Sequence, residues 1–423
     1  MSGPGRGVFR ALGGRNFRIW SAGSLISNLG AWMQRIAQDW LVLTQLTHHD
    51  PRAVGLVTAL QFAPQLVLVA WTGWAADHLD RRKLLFVTQA VMGALALGLG
   101  LLTVTGLVRA WHVYGFALLL GCAAAFDSPA RQTFVAEMVG EADLSNAIAL
   151  NSTSFNASRL IGPAIAGLVI AAVGAGWAFL INAASFVAVL ASLVLLRTGT
   201  LHPRSRPSRA QGGLTDGLRY IRGRPDLIAL LVMLFLFGSL GLNYAVFISS
   251  MSVSVFHLGA QGFGLLTSAM AVGSVSGALL VARRERPSVP VIVVGAALFG
   301  LAYTLAALSP GYLTFGAILV VIGATSQTVT TSTTSLVQLT TEPAMRGRVM
   351  AILMTVALGG LPLGAPFAGW VAHVFGARAA LLVGAAAGLL AAAVGLRYLI
   401  RHRGLRVQVV SRRLRWSFDD TAS

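Results

Sequence analysis

Apolar residues in this chain come in long runs, each near the ~20 residues that a helix needs to cross the hydrocarbon of a bilayer. The runs predict twelve spans, at about 17–46, 53–76, 84–106, 111–134, 146–173, 177–197, 227–250, 260–282, 289–309, 312–338, 348–375 and 379–400. One segment breaks the rhythm. Residues 198–225 hold Arg204, Arg206, Arg209, Arg219, Arg222 and Arg224 with Pro203 and Pro207, and they separate six spans from six. The chain therefore divides into a first half (1–199), a basic linker (200–225), a second half (226–400) and a basic tail (401–423). Within the linker, Leu214, Leu218 and Ile221 fall on one side of a helix drawn over 213–224, the pattern of a short amphipathic helix at lipid headgroups.

The halves echo each other at a shift of 202 residues. Arg81 and Arg82 match Arg283 and Arg284, Gly162 matches Gly364, Ala166 and Gly167 match Ala368 and Gly369, and Gly174 matches Gly376. The arginine pairs follow the second span of each half, and the glycines belong to the end or interior of each fifth span. A parallel duplication of a six-helix unit predicts that agreement of position.

Charge adds a direction. Only 11% of residues are charged and 56% are hydrophobic, against ~25% charged in an ordinary soluble domain. With the N-terminus inside and the spans alternating, the outer loops contain Arg52, Arg109 and Arg378, and Arg35 and Arg159 fall inside spans. The other 27 of 32 basic residues lie in cytoplasmic segments or at their edges. This asymmetry predicts an even number of spans with both termini in the cytoplasm. Residues 1–18 carry four arginines ahead of a run too long for a secretory signal, so the first span is expected to be retained. Lys83 is the single lysine, and the arginine bias with abundant Ala and Gly suggests a GC-rich bacterium and its inner membrane. The net charge of +18 reflects the basic cytoplasmic loops, and the basic linker and tail are expected to contact anionic lipid. Nucleic acid is not expected, because no stacking aromatics interleave the basic linker.

Several polar residues stand inside the spans. In the first, Ser24, Asn28, Arg35, Gln38 and Asp39 share one broad face. A charge at mid-bilayer costs ~2.5–3.5 kcal/mol, so this face must meet protein or water. At ~1.5 Å per residue, Arg35 lies ~6 Å and Asp39 ~12 Å outward of the span's middle. Arg159 lies near the middle of the fifth span, with Ser152 and Asn156 on its face. Gln327, Thr331, Thr334 and Gln338 form a stripe on the tenth. Asp39 is the one carboxylate well inside a span, which makes it the first candidate for proton coupling. Burial favours its protonated form and Arg35 favours the carboxylate. Either the two separate in one conformation, or they form a permanent neutralising ion pair. Two buried arginines suggest an anionic or zwitterionic cargo.

No phosphate-binding GxxxxGK[ST] loop, HExxH, GxSxG or His/Cys cluster is present, and Cys122 is the lone cysteine. Neither enzyme chemistry nor a metal or cofactor is expected, and the energy for transport must come from an ion gradient.

Gly73, Asp77, Arg81, Arg82 and Lys83 resemble the loop signature of the major facilitator superfamily, with Asp80 where a small residue is usual. The stretch from Phe126 to Gln132, the run Asn156, Arg159, Gly162, Pro163, Gly167, and Arg346 to Met350 resemble bacterial exporters grouped with the enterobactin exporter and related drug:proton antiporters. The resemblance covers about residues 15–400. It implies an all-α membrane protein of two pseudo-symmetric six-helix bundles, exporting a drug, siderophore or other small molecule in exchange for protons by alternating access. Under that resemblance Asp77, Arg81 and Arg82 hold the inward gate. Asp127 and Arg131, four apart at the cytoplasmic end of the fourth span, read as a structural gate pair, with a role in transport as the alternative. Gly162, Pro163 and Gly167 serve tight packing or a bend. Asp39, Arg35 and Arg159 form the charged part of the site, and Asn28, Gln38, Asn156, Gln327 and Gln338 are its amides. The expected partners of this monomer are its cargo, protons and membrane lipid. Rival readings are a lysophospholipid flippase of the same fold and a non-transporting membrane sensor or scaffold.

Overall fold

A computed structural model describes residues 9–202, 214–283, 287–402, 406–410 and 413–417. Within its helices the side chains of Ala70, Ala76, Asp77 and Leu214 are not described, nor are those of residues 406–417. Most of the predicted linker, with Arg204, Arg206 and Arg209, therefore lies outside the described residues. So do Arg284 of the repeat and much of the basic tail.

Helices dominate. The chain runs through α1 (Arg15–Trp40), α2 (Pro51–Val67), α3 (Val69–His78), α4 (Arg81–Val104), α5 (Ala110–Met138), α6 (Glu141–Val173) and α7 (Ala175–Leu195). It continues through α8 (Leu214–Arg222), α9 (Pro225–Leu236), α10 (Tyr244–Ser250), α11 (Ala260–Ala282) and α12 (Val289–Ala307). Then come α13 (Tyr312–Thr340), α14 (Pro343–Gly359), α15 (Leu361–Phe375) and α16 (Ala377–His402). Among the described residues, ten helical segments are long and apolar enough to cross a membrane. Ten crossings make an integral, multi-pass membrane protein. Large apolar side chains such as Val187 and Leu313 lie outward, 63% and 72% exposed, as in a protein whose solvent is hydrocarbon.

Several details depart from the apolar runs. The expected second span is two helices, α2 and α3, meeting at Leu68 (φ −91°, ψ 3°). Pro64 sits inside α2 one turn earlier, and a proline removes a helical hydrogen bond and crowds the preceding turn. The expected seventh span reaches Val255 and holds two π-helical turns, Phe237–Gly241 and Met251–Val255. A third, Leu41–Leu46, continues α1. The predicted amphipathic helix is α8. Its Ile221 is buried, and Gly217 lets it touch Arg348 and Ile352 of α14. In the tail, Arg406–Val410 (β1) and Arg413–Ser417 (β2) pair as an antiparallel hairpin, an addition to an otherwise helical fold.

Two compact units are present, Met1–Arg209 with Ile248–Ala271, and Ala210–Phe247 with Val272–Ser423. In the first, α1 packs on α6 and α7, α4 on α5 and α7, and α2 on α5. Gly30 makes the α1–α7 approach possible, since a Cβ there would stand 2.3 Å from Ser185 Oγ. Phe17, Trp20, Phe134, Phe186 and Leu193 fill one end of this unit, with Trp20 edge-on to Phe134 at 5.5 Å. In the second unit, α12 packs on α13 and α16. In its core Phe299 meets Phe237 with tilted rings at 4.2 Å and Tyr303 edge-on at 4.8 Å.

The 202-residue echo extends to backbone. Both ends of α5 and of α13 differ by 202, as do the start of α6 and of α14, the end of α6 and of α15, and the start of α7 and of α16. Between the last two pairs stand Gly174 (φ 92°, ψ 164°) and Gly376 (φ 87°, ψ 163°). That backbone region belongs almost entirely to glycine, so the same corner is made in the same way twice.

Candidate functional site

The polar face of α1 lies in the first unit. Gln38 and Asp39 are buried, 1% and 4% exposed, and Arg35 is half-buried. Among the described residues, Arg35 and Asp39 form no ion pair with each other or with any other group. The Arg35 guanidinium instead rests 4.8 Å from the Trp32 ring centre and 5.5 Å from that of Phe62. A ring face attracts a cation through its quadrupole, by ~0.5–2 kcal/mol, and this holds the two charges apart in this conformation. Asp39 and Arg159 remain near enough for their charges to act on Arg35. Arg159 itself is half-buried midway along α6.

Beside Arg35 the first unit contains a cavity of about 150 Å³. Gln34 and Arg35 of α1, Gln61 and Gln65 of α2, and Asn182 of α7 bring polar groups to it. Asn182 Nδ2 donates to Gln34 Oε1, and Gln61 Nε2 donates to Gln38 Oε1 at 3.2 Å. Gln34, Gln61, Gln65 and Asn182 were not singled out from the sequence. Gln34 stands beside Arg35 on the polar face of α1, Gln61 and Gln65 are four apart on α2, and Asn182 is alone on α7, so they gather only because three helices converge. An amide in a run that must face lipid or protein was the available signal.

The remaining amides are more locally satisfied. Asn28 is half-buried on α1. Asn156 Nδ2 donates to the Ser152 carbonyl at 2.9 Å within α6. In the second unit, Gln327 Nε2 donates to Thr331 Oγ1 at 2.9 Å, and Gln338 is exposed near the end of α13. Thr325, Thr328, Thr330 and Thr334 return their hydroxyls to carbonyls four residues back at 2.8–2.9 Å, the usual way a helix tolerates hydroxyls in apolar surroundings.

At the loop signature, Asp80 caps α4 by accepting the Lys83 N–H at 2.9 Å. An Asp in place of a small residue thus has a local reason. Arg81 pairs with Glu137 of α5, a residue the sequence reading passed over. Arg82 donates to the Leu193 and Val194 carbonyls at 2.8 and 3.3 Å, serving the unsatisfied C-terminal end of α7. Gly73 stands in open space. The Asp77 side chain lies outside the described residues.

Asp127 is 6% exposed and accepts three hydrogen bonds, from Thr88 Oγ1 (2.8 Å), Gln89 Nε2 (2.6 Å) and Arg131 Nε (3.1 Å). The Arg131 guanidinium also lies 5.6 Å from the Trp20 ring centre. Spacing gives the Arg131 partner, but the two α4 partners are 39 and 38 residues distant.

The Gly162–Pro163–Gly167 stretch packs closely. α6 stays helical on both sides of Pro163. A Cβ on Gly162 would stand 2.7 Å from Trp32 Cβ, and one on Gly264 of α11 would stand 2.3 Å from the Pro163 carbonyl oxygen. One on Gly167 would stand 2.7 Å from the Ala260 carbonyl oxygen.

A family model described as transmembrane secretion effector matches residues 7–416. The staphyloferrin A transporter of Staphylococcus aureus is 26% identical over 374 residues, covering 85% of this chain and 90% of that protein. The multidrug efflux pump Tap of Mycobacterium tuberculosis is 26% identical over 381 residues, covering 85% and 87%. The enterobactin exporter EntS of Shigella flexneri is 26% identical over 336 residues, covering 78% of each. Among solved structures, an inward-facing bacterial homologue of the human lysosomal transporter Spinster superposes with a TM-score of 0.71 at 15% identity. The match covers 90% of this chain and 97% of that one, and it shows a common fold. With a polar site buried in multi-pass helices and a family match over nearly the whole chain, the protein belongs to the transmembrane secretion effector family of the major facilitator superfamily and is a membrane transporter, not an enzyme.

Proposed function

We propose that this transporter is a proton-coupled exporter of a small molecule, a drug, siderophore or other metabolite, working by alternating access in a bacterial inner membrane. The observation that carries the reading is the buried charge of the first unit. Arg35, Asp39 and Arg159 stand within helices that face hydrocarbon, and Asp39 is free of an ion pair among the described residues. Lipid does not accommodate such groups, and ion and substrate pathways do. An efflux pump and an exporter among its relatives support the outward direction.

Twelve spans in two halves of six, with both termini cytoplasmic, fit the 202-residue register and the arginine distribution. Asp39 is assigned to the proton. Arg35 and Arg159 meet an acidic group on the cargo, with Asn28, Gln38, Asn156, Gln327 and Gln338 as hydrogen-bonding groups along its path. Asp77, Arg81 and Arg82, with the Asp127–Arg131 pair, make the cytoplasmic latch. Gly162, Pro163 and Gly167 let helices slide in close contact. The protein acts as a monomer surrounded by lipid.

The energetics are adequate. One proton driven by 100 mV yields ~2.3 kcal/mol, and one pH unit adds ~1.4 kcal/mol. Together these sustain a gradient of roughly 500-fold for a neutral cargo exchanged one for one.

The test uses purified protein in proteoliposomes with a trapped pH dye. An imposed pH gradient should drive cargo from a panel of siderophores and drugs against its own gradient, with protons moving the other way. Failure of the whole panel, with no proton movement, rejects the assignment.

A further inference from the structure

The geometry points to a hydrated proton path that lies wholly inside the first unit, running from Asp39 through the chamber beside Arg35 to Asp127. It rests on the proton-coupled reading above and supplies the route.

The chamber comes first. Gln34, Arg35, Gln61, Gln65 and Asn182 converge on about 150 Å³ of space. Most of its surface is apolar, with Phe62, Met92, Leu120 and Phe186 among the lining residues, but these five polar side chains share it, and a water needs only ~10–15 Å³ of such space with two to four polar partners.

Two acids stand beyond the lining residues, each next to a glutamine that does not itself line the chamber. At the end nearer the C-terminus of α1, the lining residue Gln61 donates to Gln38, whose neighbour in the chain is Asp39. Gln38 is 1% exposed, and its Nε2 has no hydrogen-bond partner among the described residues. At the other end, Met92 of α4 and Ala124 of α5 line the chamber. About one turn further along the same helices stand Gln89 and Asp127, bonded to each other at 2.6 Å. Gln89 is fully buried, and its Oε1 has no hydrogen-bond partner among the described residues. A buried amide atom left unpaired costs ~1–3 kcal/mol. Gln38 is joined to the lining by its bond from Gln61, and Gln89 is about one turn from the lining residue Met92, so water extending from the chamber to both would satisfy the two atoms together.

Asp127 is faced by Thr88 and Gln89 from α4 and by Arg131 from its own helix, and Trp20 of α1 underlies that arginine. Asp39 has Arg35 one turn away. The proton balance is simple. Asp39 takes a proton from one side of the membrane and passes it to chamber water. Asp127 receives it, and opening of the Asp127–Arg131 pair releases it on the other side. No heavy-atom bond changes.

Arg35 sets the condition for passage. A guanidinium beside a water file repels protons. Negative charge against it lowers that barrier, whether from Asp39 or from an acidic cargo. Cargo and proton thus act on one side chain, and coupling follows.

Hydroxyl-radical footprinting of the full chain in liposomes tests the water directly. Met92, 7% exposed, lines the chamber, whereas Met233 and Met251 are 1% and 0% exposed in apolar packing. Water held beside Met92 should speed its oxidation at least fivefold over the other two. Equal rates overturn the proposal. In proteoliposomes, Gln65→Leu should reduce proton-driven cargo accumulation at least tenfold more than cargo counterflow, which moves no net protons. Gln65→Asn should restore most of it. Full coupling in Gln65→Leu, or an equal loss of both activities, removes the path. If wild-type protein moves cargo without protons while Met92 still oxidises fast, the antiport reading fails and the chamber alone survives.

Discussion

The two halves share a backbone plan and differ in chemistry. At the 202-residue register, Asp127, Arg131 and Arg159 of the first half correspond to Val329, Thr333 and Leu361 of the second. The helices that carry them begin and end at matching positions. The helix ends therefore agree across the register, while these three charged positions have uncharged counterparts. The first half holds its ionisable groups in a network of four helices. The second offers hydroxyls, among them Ser332 and Thr333, whose buried oxygens have no hydrogen-bond partner among the described residues. The contrast suggests a division of work, with proton chemistry in the first half and neutral contacts to cargo in the second.

That contrast can be broken or sharpened. Asp127→Ala leaves Arg131, Gln89 and Thr88 without their buried acceptor, at an expected cost of ~3–5 kcal/mol. Thr333→Val, at the register position of Arg131, should cost less than ~1.5 kcal/mol. Thermal unfolding of the solubilised proteins checks the difference, and equal destabilisation would erase the asymmetry. Gly174→Ala and Gly376→Ala should each cost ~1–3 kcal/mol and lower the unfolding temperature by similar amounts. A large inequality would break the equivalence of the two corners. Asp39→Asn should lower proton-driven accumulation at least tenfold, ~1.4 kcal/mol, while counterflow stays within about twofold. Unaltered coupling removes Asp39 from the mechanism. Gln327→Leu should weaken cargo affinity about threefold, ~0.7 kcal/mol, and leave the proton-to-cargo ratio unchanged. A changed ratio would give the second half a part in proton handling.

Much of the fold was legible because lipid forces a simple code. A helix must be apolar for its whole crossing, so apolar runs marked the helices, and a few glycine matches gave the offset that the helix ends later repeat. The break at Leu68 was less visible, since Pro64 is compatible with either a kinked or a divided helix. The hairpin of the tail was hidden for another reason. Val407 and Val409 alternate with polar residues as a strand requires, but arginines dominated the reading. In the site, residues that share a helix face could be grouped, as Arg35, Gln38 and Asp39 were. The chamber could not, because its amides come one or two at a time from different helices. Glu137 was missed for the same reason, since nothing in its neighbourhood announces a partner more than fifty residues earlier.

The paired corners at Gly174 and Gly376 carry a stereochemical consequence. Their backbone lies in a region that an L-residue enters only under strain, and it is close to the mirror image of ordinary extended chain. A residue of the opposite hand, such as D-alanine, would fit either corner and would also restrict the unfolded chain, which glycine does not. Ribosomal synthesis offers no such residue. Achirality is therefore the one property both copies had to keep, while the side chains on the helices around them were free to part ways.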